Sequence, residues 1–279
     1  TSGSNLSSPA WSPDGRAIYA VETRRTPARA PYQGRDESYT LYYPLIVRMR
    51  PDGSGRTVVK DSLYSLGRSP GHRWFTWLRQ PDVSPDGKTF ALLSDAPNPT
   101  RRDVTLSLMS TRGGEVRNLN LPEDPPLGHG DPDWSPDGTT IAFTRYFGRA
   151  AAGEPRIAVY TLASKRFRDL TRRGYAEPSW SPDARYVAAV RTDARGRDVV
   201  VLDARNGNEL ARLTRDGSSF APTWSPDGRQ IAYLRADGQG VDLRLITLSP
   251  GTSVRAASDK PVTADRELDG TSRPAWHRG

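Results

Sequence analysis

Residues 220–237 read FAPTWSPDGRQIAYLRAD, and this stretch decides the fold. Two apolar runs flank a turn signal, Ser225-Pro226-Asp227-Gly228. In such a signal proline presets φ near −65°, aspartate accepts a hydrogen bond from nearby backbone, and glycine tolerates positive φ. Apolar run, turn and apolar run make a β-hairpin. The same wording returns at 7–23 (SSPAWSPDGRAIYAVET), 81–94 (PDVSPDGKTFALLS), 129–145 (HGDPDWSPDGTTIAFTR) and 175–191 (YAEPSWSPDARYVAAVR).

The motif serines are Ser12, Ser84, Ser135, Ser181 and Ser225, spaced by 72, 51, 46 and 44 residues, and a truncated sixth copy, SRPAWHRG, ends the chain. Periods of about 40–50 residues belong to propellers and solenoids. Inside each period an alternating run such as QIAYLRA follows the turn. A second apolar run follows (VDLRLITLS, PRIAVYTLA, DVVVLDA), and then a short closing one (FRDLTRR, LARLTRD, EVRNLNL). Alternation at period two, broken by Gly, Asp and Pro, describes an antiparallel meander. Four strands per repeat, arranged radially, are the blades of an all-β propeller filling residues 1–279 as one domain.

The flat side chains of Trp11, Trp134, Trp180 and Trp224 precede the turns, with Val83 in the second copy, and are expected to wedge between neighbouring blades; Trp276 stands at the same place in the truncated copy. Ala184 stands where the other turns carry glycine, a local cost of about 1 kcal/mol if its φ is positive.

Composition removes several chemistries. The chain has no cysteine, so disulfides, thiol catalysis and thiolate metal sites are absent. His72, His129 and His277 are the only histidines and form no close zinc-type pair. No run approaches the roughly 18 apolar residues of a membrane span. The net charge of +8 is carried almost wholly by arginines dispersed along the chain. That dispersion lacks the clustered footprint of nucleic-acid binding and reads as solvated blade edges. The first residues, TSGSNLSS, are small and polar without a starting Met, as in a processed or cut chain.

The repeated P-x-W-S-P-D-G wording resembles that of the TolB-type β-propellers, the periplasmic component of the Tol–Pal envelope system. The resemblance covers essentially the whole chain as a repeat pattern and implies an extracytoplasmic protein, with any anchor lying outside these residues. An N-terminal α/β domain of TolB has no counterpart in the chain. In TolB-like chains a final P-A-W strand forms the innermost strand of a blade, and Pro274-Ala275-Trp276 matches it. Only about seven residues precede the first motif, too few for three strands of about five residues each. Two closures stay open: a six-bladed ring with an incomplete closing blade, or five blades.

The first blade carries insertions at 24–40 and 62–78. Long loops on a rigid β scaffold commonly carry recognition, and Trp, Tyr and Arg are enriched at binding hot spots. Tyr32, Arg35, Tyr39, Trp74 and Trp77 are therefore the candidate contacts for a partner protein, envelope- or membrane-associated by the resemblance. The bland alternative is that these aromatics cover one apolar edge of the disc.

The innermost strands carry a second candidate site. Asp82, Asp131, Asp133 and Glu177 gather near the channel, and alternation would put His129 beside Asp131 and Asp133. Clustered carboxylates can hold Ca²⁺ or receive a basic segment, or can simply line a solvated channel with Arg273 as internal counter-charge. An enzymatic reading lacks a G-x-S-x-G elbow, although channel carboxylates with His129 as acid or base could serve a lyase or hydrolase. The favoured reading is a non-catalytic binding scaffold without a cofactor.

Overall fold

The computed structural model of the protein describes residues 5–32, 35–67, 71–97, 103–121, 128–147, 154–249, 254–263, 268 and 270–277. Blade one comprises β1 (Leu6–Trp11), β2 (Ile18–Tyr32), β3 (Arg35–Met49) and β4 (Thr57–Asp61). A small hairpin, β5 (Leu63–Ser65) and β6 (Arg73–Phe75), precedes blade two, which is β7 (Arg79–Val83), β8 (Thr89–Ser94), β9 (Thr105–Ser110) and β10 (Arg117–Asn118). Blade three is β11 (His129–Trp134), β12 (Thr140–Arg145), β13 (Arg156–Thr161) and β14 (Arg166–Asp169). Blade four is β15 (Tyr175–Trp180), β16 (Tyr186–Asp193), β17 (Gly196–Asp203) and β18 (Glu209–Arg212). Blade five is β19 (Ser219–Trp224), β20 (Gln230–Ala236), β21 (Val241–Leu248) and β22 (Ala256–Pro261). Each blade is a four-stranded antiparallel sheet paired in chain order.

Every motif turn closes by the same bonds. In blade five Ser225 Oγ donates to Asp227 Oδ1 at 2.6 Å and accepts the Gln230 N–H at 2.9 Å, while Asp227 Oδ1 also accepts the Arg229 N–H at 3.0 Å. Ser12, Ser84, Ser135 and Ser181 repeat this arrangement. The turn glycines lie at positive φ, as Gly228 does at 71°, and Ala184 holds the same place at 58°. Left-handed backbone costs a residue with a Cβ about 1–2 kcal/mol. Ala184→Gly is therefore expected to stabilise the protein by about 1 kcal/mol, read as a raised urea midpoint at unchanged slope.

Apolar faces of successive blades meet in four inter-blade cores. Trp134 packs with Ala91 and Leu106 of blade two, Trp180 packs against the core between blades three and four, and Trp224 packs with Val199 and Val201 of blade four. These three motif tryptophans thus fill the wedge toward the preceding blade. Trp134 and Trp224 are buried and Trp180 is half-buried.

The inner strands β1, β7, β11, β15 and β19 follow one another round the axis. Residues 270–277 take the sixth place, between β19 and β1. Trp276 Nε1 donates to the Thr223 carbonyl at 3.2 Å, Ser272 Oγ accepts the Ser8 N–H at 3.0 Å, and the His277 ring lies 4.8 Å from that of Trp11. The ring is a six-bladed TolB-like arrangement whose closing blade, among the described residues, consists of this inner segment. The five-bladed alternative fails because β19 and β1 are held apart by a blade's inner element.

The first insertion is not a loop. β2 and β3 pair without interruption from Ile18↔Met49 to Tyr32↔Arg35. β1 pairs with β2 only as far as Leu6↔Glu22, so the remainder is a two-stranded ribbon standing beyond the face where the inner strands begin. The connection from β4 to β7, which carries the second insertion, emerges on the same face.

Candidate functional site at the channel mouth

All five inner strands break register at the residue before their proline: Ser8, Gln80, Asp131, Glu177 and Ala221. These residues sit at φ between 47° and 56°. Positive φ without glycine is strained, and a bulge re-aims the side chain that carries it. Here it turns all five toward an axial cavity of about 430 Å³.

Two belts of hydrogen bonds tie blade to blade around this cavity. Near the mouth, Gln80 Oε1 accepts the Asp131 N–H at 2.9 Å and its Nε2 donates to Asp131 Oδ1 at 2.8 Å. Thr144 Oγ1 accepts the Glu177 N–H and donates to Asp131 Oδ2, and Glu177 Oε2 accepts the Ala221 N–H. Deeper in, Asp82 Oδ2 accepts the Trp134 N–H at 2.8 Å and Asp133 Oδ2 accepts the Trp180 N–H at 2.7 Å. Arg273, from the closing segment, donates to Asp133 Oδ1 at 3.0 Å.

Burial pushes these acids up. Desolvation raises Asp82 to about 6, against the pull of the Trp134 N–H and Arg273. Asp133 rises to about 8 through desolvation and the neighbouring Asp82 charge. Glu177 rises to about 7 through desolvation and the Asp131 charge. The Tyr146 hydroxyl, held protonated chiefly by burial, donates to Asp131 Oδ2 at 3.3 Å.

His129 does not join the acids. The bulge between Gly130 and Asp133 cancels the alternation that would have aligned it with Asp131 and Asp133. Its buried ring lies 4.9 Å from that of Phe143, and Nδ1 accepts the Leu106 N–H at 3.0 Å. Burial, reinforced by Arg145, lowers its pKa to about 3 and keeps it neutral. A general acid or base built on His129 and the channel acids is corrected by this placement. The carboxylates, read from sequence as a possible Ca²⁺ cluster, form no metal-type grouping among the described residues. Thr144 and Ser272 escaped the sequence reading; Gln80 is marked there by its place before a proline, but its role is not.

On the same face, the second insertion builds an aromatic patch. Trp74 is 39% and Trp77 42% exposed. Buried Phe75 lies between them, stacked on Trp74 at 5.7 Å and edge-on to Trp77 at 4.9 Å, with the Arg79 guanidinium 5.8 Å from the Trp77 ring. Phe75 packs into the apolar face of the ribbon with Leu41 and Tyr43. Tyr39, half-buried, donates its hydroxyl to the Arg73 carbonyl at 3.4 Å, and Arg35 is exposed at the ribbon end. The side chain of Tyr32 lies outside the described residues. Trp74, Trp77 and Tyr39 are thus gathered by one substructure, and Arg35 stands apart from them.

The family model described as a TolB beta propeller domain matches residues 76–258. The chain belongs to the TolB β-propeller family. A solved TolB structure from Agrobacterium tumefaciens is similar in fold to this TolB β-propeller, with a TM-score of 0.63 and 18% identity over 92% of this chain and 81% of that one. A protein called uncharacterized protein Atu1656, from Agrobacterium fabrum, is 34% identical over 146 residues, 50% of this chain and 39% of that protein. The uncharacterized peptidase YuxL of Bacillus subtilis is 41% identical over 76 residues, 27% of this chain and 11% of that protein. The chain therefore spans well under half the length of these two relatives. No helix among the described residues is long and apolar enough to cross a membrane.

Proposed function

We propose that this TolB β-propeller is a non-catalytic binding scaffold acting outside the cytoplasm, which holds a partner protein on the channel-mouth face of its first blade. The observation that carries the reading is the exposure of Trp74, on β6, and of Trp77, between β6 and β7 and beside Arg79, at the same face as the ribbon and the cavity mouth. A tryptophan left about two-fifths exposed on a buried phenylalanine base is a preorganised hot spot, because its rotamer is fixed before binding. Membership of the TolB family supports the extracytoplasmic location and an envelope-associated partner. The channel carboxylates and Arg273 are engaged in joining blades, which favours a scaffold over chemistry at the axis. The peptidase name of the Bacillus relative belongs to a protein of which this chain spans 11%.

Replacing Trp74 and Trp77 by Ser is the test. Retention of partner from an envelope extract should fall at least about tenfold, since two hot-spot aromatics at 2 kcal/mol or more exceed the 1.4 kcal/mol that a tenfold change requires. The cooperative melt should stay within a few degrees of the parent. Full retention with an intact fold sinks the reading.

A further inference from the structure

The two edges of the ribbon are treated differently. On the β2 edge, the Thr23 N–H donates to the Asn5 carbonyl and the Arg29 N–H to the Gly71 carbonyl, both at 2.9 Å. Odd-numbered residues of β2 therefore turn their N–H groups away from β3. Pro27 and Pro31 occupy that same odd set, where no donor is needed. This edge is blunted by proline and capped by the second insertion, the ordinary protections of an exposed strand.

Between Asp36 and Tyr42 the β3 edge has neither among the described residues, and Pro44, in its outward set, ends that stretch. With even residues of β2 bonded inward, their partners Glu37, Tyr39, Leu41 and Tyr43 turn inward too. Asp36, Ser38, Thr40 and Tyr42 then present N–H and C=O outward, because hydrogen-bonded pairs alternate along an antiparallel ladder. β4 pairs with β3 only from Leu45 onward. Among the described residues no strand pairs with the edge from 36 to 42. Its four outward residues are exposed, Tyr42 at 57%. The run Ser-Tyr-Thr-Leu-Tyr-Tyr is rich in strand formers and contains no lysine or proline.

Charge limits what can pair there. Arg25 lies opposite Tyr42, and Arg35 ends the strand; both are exposed and neither has an acidic partner among the described residues. Asp36 is engaged by His72 Nε2 at 3.0 Å and Arg24 by Glu22 at 2.8 Å. Arg29, opposite Ser38, is exposed as well, so Arg25, Arg29 and Arg35 outnumber the exposed acids of the strand, Asp36 and Glu37, on a chain of net charge +8.

We propose that the free edge of β3 from Asp36 to Tyr42 is a strand-addition site that takes an extended acidic segment of the partner protein. Main-chain bonds would supply affinity and the arginines would select charge. The inference rests on the reading that the first blade binds a partner, and adds the chemistry of that partner.

Amide hydrogen exchange on the full chain tests it, with a blocked decapeptide alternating Glu with Val and Thr as probe and a Lys-for-Glu peptide as control. The acidic peptide should slow the Ser38, Thr40 and Tyr42 amides at least tenfold, and the basic peptide should leave them unchanged. Thr40→Pro deletes one outward donor without touching a bond to β2, and should abolish protection at Ser38 and Tyr42. Thr40→Glu keeps the donor and should shift preference toward the basic peptide, so the proposal stays exposed if the proline variant does not fold. No protection with the acidic peptide overturns it. So does protection on raising protein concentration alone, which assigns the edge to a second copy. If Trp74→Ser with Trp77→Ser releases the natural partner and Thr40→Pro does not, the edge proposal falls while the first-blade reading stands. If neither variant releases it, both fall; release by Thr40→Pro supports the edge.

Discussion

Replacing Trp134 or Trp224 by alanine should lower the unfolding free energy by about 3–5 kcal/mol, because the cost combines lost transfer energy with an unfilled cavity. Both indoles are buried between blades, and the chain N–H of Trp134 is bonded to Asp82 of the preceding blade. Neighbouring sheets cannot collapse onto the gap, since the closed ring fixes their separation. Trp180 is half-buried and should cost less. Urea unfolding of the three variants provides the measurement. Losses below about 1 kcal/mol at all three would mean that the tryptophans are not wedges. A deeper loss at Trp180 than at Trp224 would contradict the burial order.

The blades were legible because the motif is local. Ser225, Asp227 and Gly228 complete their bonds within six residues, so one copy predicts a hairpin and five predict a ring. The channel was legible only in part. Asp82, Asp131, Asp133 and Glu177 do line it, but alternation failed at the bulge and sent His129 into the core. A bulge inserts one residue without changing the composition of the run, so periodicity carries no sign of it; the recurrent X-Pro step was the only trace. The purpose of the acids was hidden for another reason. Asp82, Asp133 and Glu177 each bond a backbone N–H on the next blade, a partner between 44 and 52 residues away, and Asp131 bonds Gln80 of the blade before. The ribbon reads as a loop in sequence because its Pro27, Pro31 and Gly34 are loop residues by composition. Proline whose missing donor would have faced outward does not interrupt a two-stranded pairing.

Arg273→Met should cost little at pH 5 and about 3 kcal/mol at pH 8. Removing one partner of a buried ion pair strands the other, but only when that other is charged. Asp82, Glu177 and Asp133 are raised to about 6, 7 and 8 in the folded protein, from ordinary values near 4. Between about pH 4 and pH 8 the folded state therefore holds more protons than the unfolded chain, and stability falls as pH rises. The stabilisation from these three carboxyls is complete below about pH 4 and is lost as pH climbs through 6 to 8. At pH 5 Arg273 faces mostly neutral partners, and its loss removes a half-buried cation as well as a bond. At pH 8 the variant must bury ionised carboxylates or protonate them. Protonation limits the loss, because keeping a carboxyl neutral costs only about 1.4 kcal/mol for each pH step above its pKa. Asp133→Asn should do the reverse. Its amide oxygen can still accept the Trp180 N–H, so the variant should match the parent at pH 5 and exceed it at pH 8, with a flatter profile. His129 acts in the opposite sense, since a neutral buried imidazole is lost as pH falls below about 6.5. That contribution is shared by all three proteins and cancels when they are compared at one pH. Urea midpoints at pH 5 and pH 8 for the parent, Arg273→Met and Asp133→Asn decide the matter. An Arg273→Met loss of equal size at both pH values would show that Arg273 holds the ring by packing and hydrogen bonding, and that Asp82 and Asp133 stay ionised in the closed channel.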